Sequence, residues 1–278
     1  MQILTSKILD GGLSDEALKN LYGGAERKML WSCQADPRFM YYAYVPDSIS
    51  EVKARAYPVL IFIHGTGGFY PDVINRALEK FAKKHKCCVL APLFPGGIID
   101  KDDFSNYKVI NYYGIRYDQI LLNMVSEMAD RYKNIDQDSL FMFGHSGGGQ
   151  FVQRFFYLHP EKLKAVVISA PGRITYLDKK TVFPWGIKDW STIFDKSISE
   201  KSLQQVPVKL LVGEKDVKFI GDFPAGKNRV ERIKKLYRDF MAHKIPTEFY
   251  VIPRVEHIDG DKERVTQACA WFEKFMGK

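Results

Sequence analysis

Short apolar runs alternate along this chain with longer stretches whose apolar positions recur every three or four residues. The runs at 57–63, 87–91, 139–143, 164–169, 208–212 and 247–252 are rich in Val, Ile, Leu, Phe and Cys. Runs of that length predict strands, and the one at 139–143 reads as a buried strand, as does the core strand holding Cys87 and Cys88. Residues 28–32 and 39–45 predict an early hairpin. Between the strands, helices are predicted over about 70–84, 115–132, 150–158, 230–243 and 261–276, with a short one at 13–22 that Ser14 can cap. The clearest is 115–132, where Ile120, Leu121, Met124, Val125 and Met128 lie at helical spacing.

Strands alternating with helices of this length predict an α/β fold, a mostly parallel central sheet flanked by helices on both faces. One stretch breaks the alternation. Residues 172–205 are long for a connection, aromatic, and punctuated by Pro and Gly. Such loops tend to be lids or linkers, so a small cap insertion is expected here. It would sit within a single domain spanning 1–278, after an N-terminal extension over 1–24. Parallel sheets place their sites at the carboxyl ends of the strands. His64, Ser146, Asp216 and His257 all follow predicted strands.

Ser146 lies in Gly144-His145-Ser146-Gly147-Gly148, between the strand at 139–143 and the following helix. A serine at such a turn is pushed into the open, and side chains two residues before and after it would clash, so Gly144 and Gly148 leave room. The helix N-terminus behind it favours a developing negative charge. The plain alternative is a serine that only caps the helix. A serine hydroxyl needs a base, and His257, after the last strand, is the candidate that can take and return its proton. His243 at a helix end, His85 before a strand and His159 after the elbow helix fit solvated or capping roles better. His145 adjoins the serine and cannot easily swing back onto it. Asp216 is the candidate to orient the imidazole, with Glu214 and Asp259 as rivals that also read as surface charges.

With these residues the chain resembles the α/β-hydrolase superfamily over about residues 25–276. The resemblance rests on the elbow, on His64-Gly65-Thr66-Gly67-Gly68 after an early strand, and on the order Ser, Asp, His. The elbow and glycine-rich segment are similar to those of esterases, lipase-like enzymes and acyl-peptide hydrolases. The resemblance implies a catalytic triad of Ser146, Asp216 and His257. It also implies an oxyanion hole from the backbone N–H of Gly147 and of Thr66 or Gly67, with His64 organising the loop. It implies a hydrolase acting on a small-molecule carboxylic ester through an acyl-enzyme, without a cofactor. The same machinery could act on a thioester, an amide or a carbon–carbon bond, and a non-catalytic binding module with this fold is the remaining alternative. Phe69, Tyr70, Tyr112, Tyr113, Trp185 and Trp190 are candidates to line the substrate pocket, and each reads equally well as packing. Arg116 and Arg173 could receive a substrate carboxylate or be ordinary surface charges.

Composition changes little in this picture. The 278 residues are 46% hydrophobic and 27% charged, enough for a sizeable core. The formal charge of +8 is spread along the chain, and its densest run, 227–235, falls on a predicted helix as a solvated face. No nucleic-acid recognition motif accompanies it, so no nucleic-acid partner is expected, while an anionic substrate remains compatible. Cys33, Cys87, Cys88 and Cys269 show no metal spacing, and no metal is expected. Cys87 and Cys88 point to opposite faces if both lie in one strand. Free thiols suit a reducing compartment, and the chain is expected to be cytoplasmic. The first residues lack the pattern of a secretory leader, and no apolar run is long enough for a transmembrane segment. An exposed apolar cap would suit either a lipid-like substrate or a homodimer interface.

Overall fold

The computed structural model describes residues 27–50, 56–68, 72–223 and 225–276. The helix expected at 13–22 with its cap Ser14, and the aromatic pair Phe69 and Tyr70, lie outside the described residues. The early hairpin forms from β1 (Arg27–Ser32) and β2 (Met40–Val45), paired antiparallel. The apolar runs form β3 (Tyr57–Ile63), β4 (Cys88–Leu93), β7 (Ile135–His145), β8 (Leu163–Ser169), β9 (Val208–Gly213) and β10 (Thr247–Ile252). Together they make an eight-stranded sheet in the order β1-β2-β4-β3-β7-β8-β9-β10. The six strands from β4 to β10 pair in parallel, and β2 joins β4 antiparallel.

Strand period two distributes the apolar run of β3 between two cores. Val59, Ile61 and Ile63 join one, Leu60 and Phe62 the other. Helices α2 (Tyr117–Arg131), α3 (Gly147–Leu158) and α6 (Arg229–Ala242) bury Met124, Phe155 and Leu236 in the first core. Helices α1 (Asp72–His85) and α7 (Asp261–Glu273) bury Leu78 and Phe272 in the second. Both faces are thereby covered, which an all-apolar parallel strand requires. Cys88 and Cys87 fall on opposite sides of the sheet, and all four cysteines are free thiols.

The helix expected from residue 115 starts at Tyr117 instead. Tyr113 and Gly114, at φ 48° and 82°, make a tight turn that folds β5 (Asn111–Tyr112) onto β6 (Ile115–Arg116). Positive φ at both turn residues matches the twist of a two-residue hairpin. Residues 172–205 carry two short helices, α4 (Trp190–Phe194) and α5 (Glu200–Leu203). Trp190 is buried in the main core, edge-on to Tyr157 and Phe183. No described helix is long and apolar enough to cross a membrane.

His159 and Arg116 depart from their expected roles. His159 is the C-cap residue of α3, but its ring is buried, and Nε2–H donates to Asp118 Oδ2 at 2.8 Å. Arg116 grips the same carboxylate with Nε and Nη2 at 2.8 and 2.7 Å. The pair ties the start of α2 to the end of α3. Burial alone would raise the Asp118 carboxyl, but hydrogen bonds from His159 and Arg116 outweigh it and hold it below the usual carboxylate range. A carboxyl depressed on folding stabilises the native state above its unfolded value near 3.9, and that contribution fades as pH falls below it. Asp118→Ala leaves buried donors unpaired and should lower stability by about 3 kcal/mol. Urea unfolding at pH 7 and pH 3 checks this: the gap between wild type and variant should narrow in acid.

Candidate active site

Strand β7 ends at His145, and α3 begins at Gly147, leaving Ser146 alone to turn the chain. Its backbone sits at φ 57°, ψ −113°, a conformation that costs of order 1–3 kcal/mol for a residue with a Cβ. Ser146 N–H is held by the Ser169 carbonyl of β8 at 2.9 Å. The flanking glycines permit the turn. A Cβ on Gly148 would fall on the Ile63 carbonyl of β3, and one on Gly144 would fall on the backbone of Gly148. The hydroxyl is left in line with a second strand-end residue: Ser146 Oγ lies 2.9 Å from His257 Nε2.

His257 follows β10, and its Nδ1 lies 2.6 Å from Asp216 Oδ2. Asp216 follows β9 and is buried, 1% exposed. Its other oxygen meets Arg229 Nη1, at the start of α6, at 3.4 Å. Of the rivals, Glu214 is exposed and accepts from Arg254 N–H at 2.8 Å, and Asp259 is exposed. The serine, the imidazole and the buried carboxylate therefore form one hydrogen-bonded line across three strand ends.

The loop after β3 lies beside the elbow. A Cβ placed on Gly147 would be 3.1 Å from Thr66 N, so these two backbone groups border the same space. Gly67 is exposed, with nothing within 4 Å of its Cβ position. His64 anchors this loop. Its Nε2 accepts from Phe94 N–H at 3.0 Å, and its Nδ1–H donates to the Gly65 carbonyl at 2.6 Å. Tyr107 hydroxyl donates to the His64 carbonyl at 3.0 Å. Burial pushes the imidazole down to about 4, so near neutral pH it is uncharged and its two nitrogens fit this one-donor, one-acceptor arrangement.

Sequence reasoning missed two residues that hold His257. His145 Nε2–H donates to the His257 carbonyl at 2.9 Å, and its Nδ1 lies 3.0 Å from Ser169 Oγ. Burial first, and nearby Arg264 second, push His145 well below the ordinary histidine value. Arg264 Nη2, from α7, donates to the same His257 carbonyl at 3.0 Å. His145 offered only its neighbourhood to the serine as a signal, and Arg264 offered none.

The aromatic candidates separate. Trp185 edges a cavity beside the site together with Lys108, Gln150 and Arg173. Trp190 packs in the core, Tyr113 stands 78% exposed on its turn, and Tyr112 is buried against it. Among the described residues, no group of three or more His, Cys, Asp or Glu could hold a metal ion.

No protein-family model matches the chain, and no curated protein matches it. Solved structures do. A poly(3-hydroxybutyrate) depolymerase from Bordetella parapertussis aligns over 96% of this chain and 97% of its own, at 22% identity and a TM-score of 0.67. Poly(aspartic acid) hydrolase-1 from Sphingomonas sp. KT-1 aligns over 91% and 98%, at 20% identity and 0.67. An S-formylglutathione hydrolase from Agrobacterium tumefaciens aligns over 91% and 95%, at 14% identity and 0.62. Near-complete coverage in both directions, with the same mostly parallel sheet between helices, makes this an α/β-hydrolase fold.

Proposed function

We propose that this protein is a serine hydrolase that cleaves carboxylic esters. The observation that carries the reading is the line Ser146–His257–Asp216, with contacts of 2.9 and 2.6 Å at a strained elbow. A helix cap would not need that line, and Ser146 makes no side-chain cap bond to α3. Fold neighbours described as a depolymerase, an S-formylglutathione hydrolase and a ferulic acid esterase agree with it.

In this reading Ser146 Oγ attacks the ester carbonyl while His257 Nε2 takes its proton. The carbonyl π pair moves onto oxygen, and backbone N–H groups of Gly147 and Thr66 stabilise that charge. His257 then returns the proton to the departing alkoxide, which leaves as the alcohol. Water enters, gives its proton to His257, and attacks the acyl-enzyme. Collapse of the second tetrahedral intermediate releases the acid and restores Ser146. Asp216 keeps the imidazole in the tautomer with Nδ1–H and stabilises the imidazolium. His64, His145 and Arg264 act as positioning residues, the first on the loop and the others on the His257 backbone.

Two variants test the reading with 4-nitrophenyl butyrate. Ser146→Ala should lower kcat by about 10⁴-fold or more without shifting the unfolding midpoint downward, and a fluorophosphonate probe should mark wild type once, on Ser146, and the variant not at all. Full turnover by the alanine variant would sink the assignment. Asp216→Asn should lower kcat by about 10³–10⁴-fold through the wrong tautomer. A loss confined to KM would remove Asp216 from the line. A matched thioester run beside the oxygen ester decides which acyl bond is preferred.

A further inference from the structure

Beside the elbow lies a cavity of about 170 Å³ whose charged lining is entirely positive: Lys108, Arg173, Arg229 and Arg232. Its volume is below the ~300–1,000 Å³ of pockets that enclose drug-sized ligands, so it suits a compact group. It shares walls with the proposed catalytic line. Lys108 Cε is 2.9 Å from the Cβ position of Gly147, and Arg229 touches Asp216.

The lysine has few alternatives. Lys108 is 8% exposed. Among the described residues, no hydrogen bond or ion pair engages its ammonium. Burial pushes that ammonium down to about 8; Asp103 opposes the fall, and Arg173 and Arg154 add to it. Keeping a cation on a largely buried lysine without a bonded anion is costly. Arg229 adds a buried Nε without a partner, 4.0 Å from the Cβ position of Gly172. Arg173 lies over Trp185 at 5.9 Å and makes no side-chain ion pair among the described residues. Arg232 spends its donors on the carbonyls of Gly172, Ile220, Gly221 and Gly226, so its charge meets no carboxylate there. Arg116, the other arginine considered for a substrate acid, binds Asp118 and the Phe194 carbonyl and does not line this cavity.

We propose that this cavity binds a carboxylate carried by the substrate, so that the preferred esters are acidic ones, with the free acid seated among Lys108, Arg173 and Arg229 while the ester carbonyl lies at Ser146. The inference rests on the ester-hydrolase reading for its placement of the carbonyl, but the cavity's taste for a carboxylate can be measured without turnover. The acid can belong to the acyl part or to the alcohol part of the ester.

Two matched pairs separate those sources. One is 4-nitrophenyl butyrate against the mono-4-nitrophenyl ester of glutaric acid. The other is benzyl butyrate against 4-carboxybenzyl butyrate. At least one acidic ester should exceed its neutral twin in kcat/KM, and the pair that responds names the side. In Arg173→Gln and Lys108→Met the acidic-to-neutral ratio should fall at least about tenfold, chiefly through KM. Arg173→Lys should retain most of the preference, and Arg173→Glu should reverse it. Arg173 is exposed, so its variants should fold even if Lys108→Met does not. Calorimetric titration of Ser146→Ala with glutarate should detect binding that Arg173→Glu abolishes. Equal ratios for both pairs, or a preference untouched in the Arg173 variants, would overturn the proposal. Absent fluorophosphonate labelling and absent turnover of every ester would overturn the hydrolase reading instead. Glutarate titration then decides the cavity alone: saturable binding lost in Arg173→Glu upholds its carboxylate specificity, and no binding refutes it.

Discussion

The close approach of helix α3 to strand β3 at Gly148 is the constraint on which the site is built. No Cβ fits between that glycine and the Ile63 carbonyl. Because the helix presses against the sheet there, the chain must reverse within the single residue Ser146, at a positive φ. The strain is repaid by the contacts it permits. Ser146 N–H reaches the Ser169 carbonyl, and Gly147 comes beside Thr66. The hydroxyl emerges where β9 and β10 deliver Asp216 and His257. Neighbouring parallel strands end at one edge, so a tight turn on β7 suffices to align residues 70 and 111 positions apart in the chain.

Much of this is legible in the amino-acid sequence itself. Buried parallel strands must be apolar on both faces, and the run at 57–63 matches β3; β10, matching 247–252, is the edge strand, and of its residues only Ile252 is buried. The elbow was legible because a steric requirement writes glycine at fixed offsets from the serine. What stayed hidden lacked local periodicity. The β5–β6 ribbon has two residues in each strand, too few to show alternation, and it depends on Tyr113 accepting a positive φ. Trp190 and Trp185 stand five positions apart in the same aromatic stretch, yet one enters the core and the other a cavity wall. Spacing carries no information on that choice. His159 and Arg116 were read as solvated or surface groups because their shared partner, Asp118, comes near His159 only when α2 and α3 pack.

Arginine use gives the molecule a second theme. Arg154 and Arg232 are almost wholly buried, and their donors go to backbone carbonyls and one threonine hydroxyl rather than to carboxylates. Carbonyl oxygens satisfy hydrogen-bonding geometry without cancelling charge. Arg154 ties the Lys108 and Arg173 carbonyls together, and Arg232 ties Gly172 to the segment before α6. The same bonds that fix the wall of the cavity therefore leave net positive charge in it.

That charge makes opposing demands on the reaction proposed for Ser146. A positive wall favours an oxyanion on the substrate, while the imidazole proposed to carry the serine's proton calls for a negative neighbour. Asp216 reconciles the two by distance. At 2.6 Å it is in direct contact with the imidazole, and it also holds Arg229 at 3.4 Å. Being 1% exposed, it is little screened by water. In the proposed reaction that carboxylate faces the imidazole with one oxygen and Arg229 with the other, while Lys108 borders the elbow at Gly147. In that proposed reaction the imidazole and the oxyanion have different partners, so the cavity's cations and the proton relay do not compete for one group.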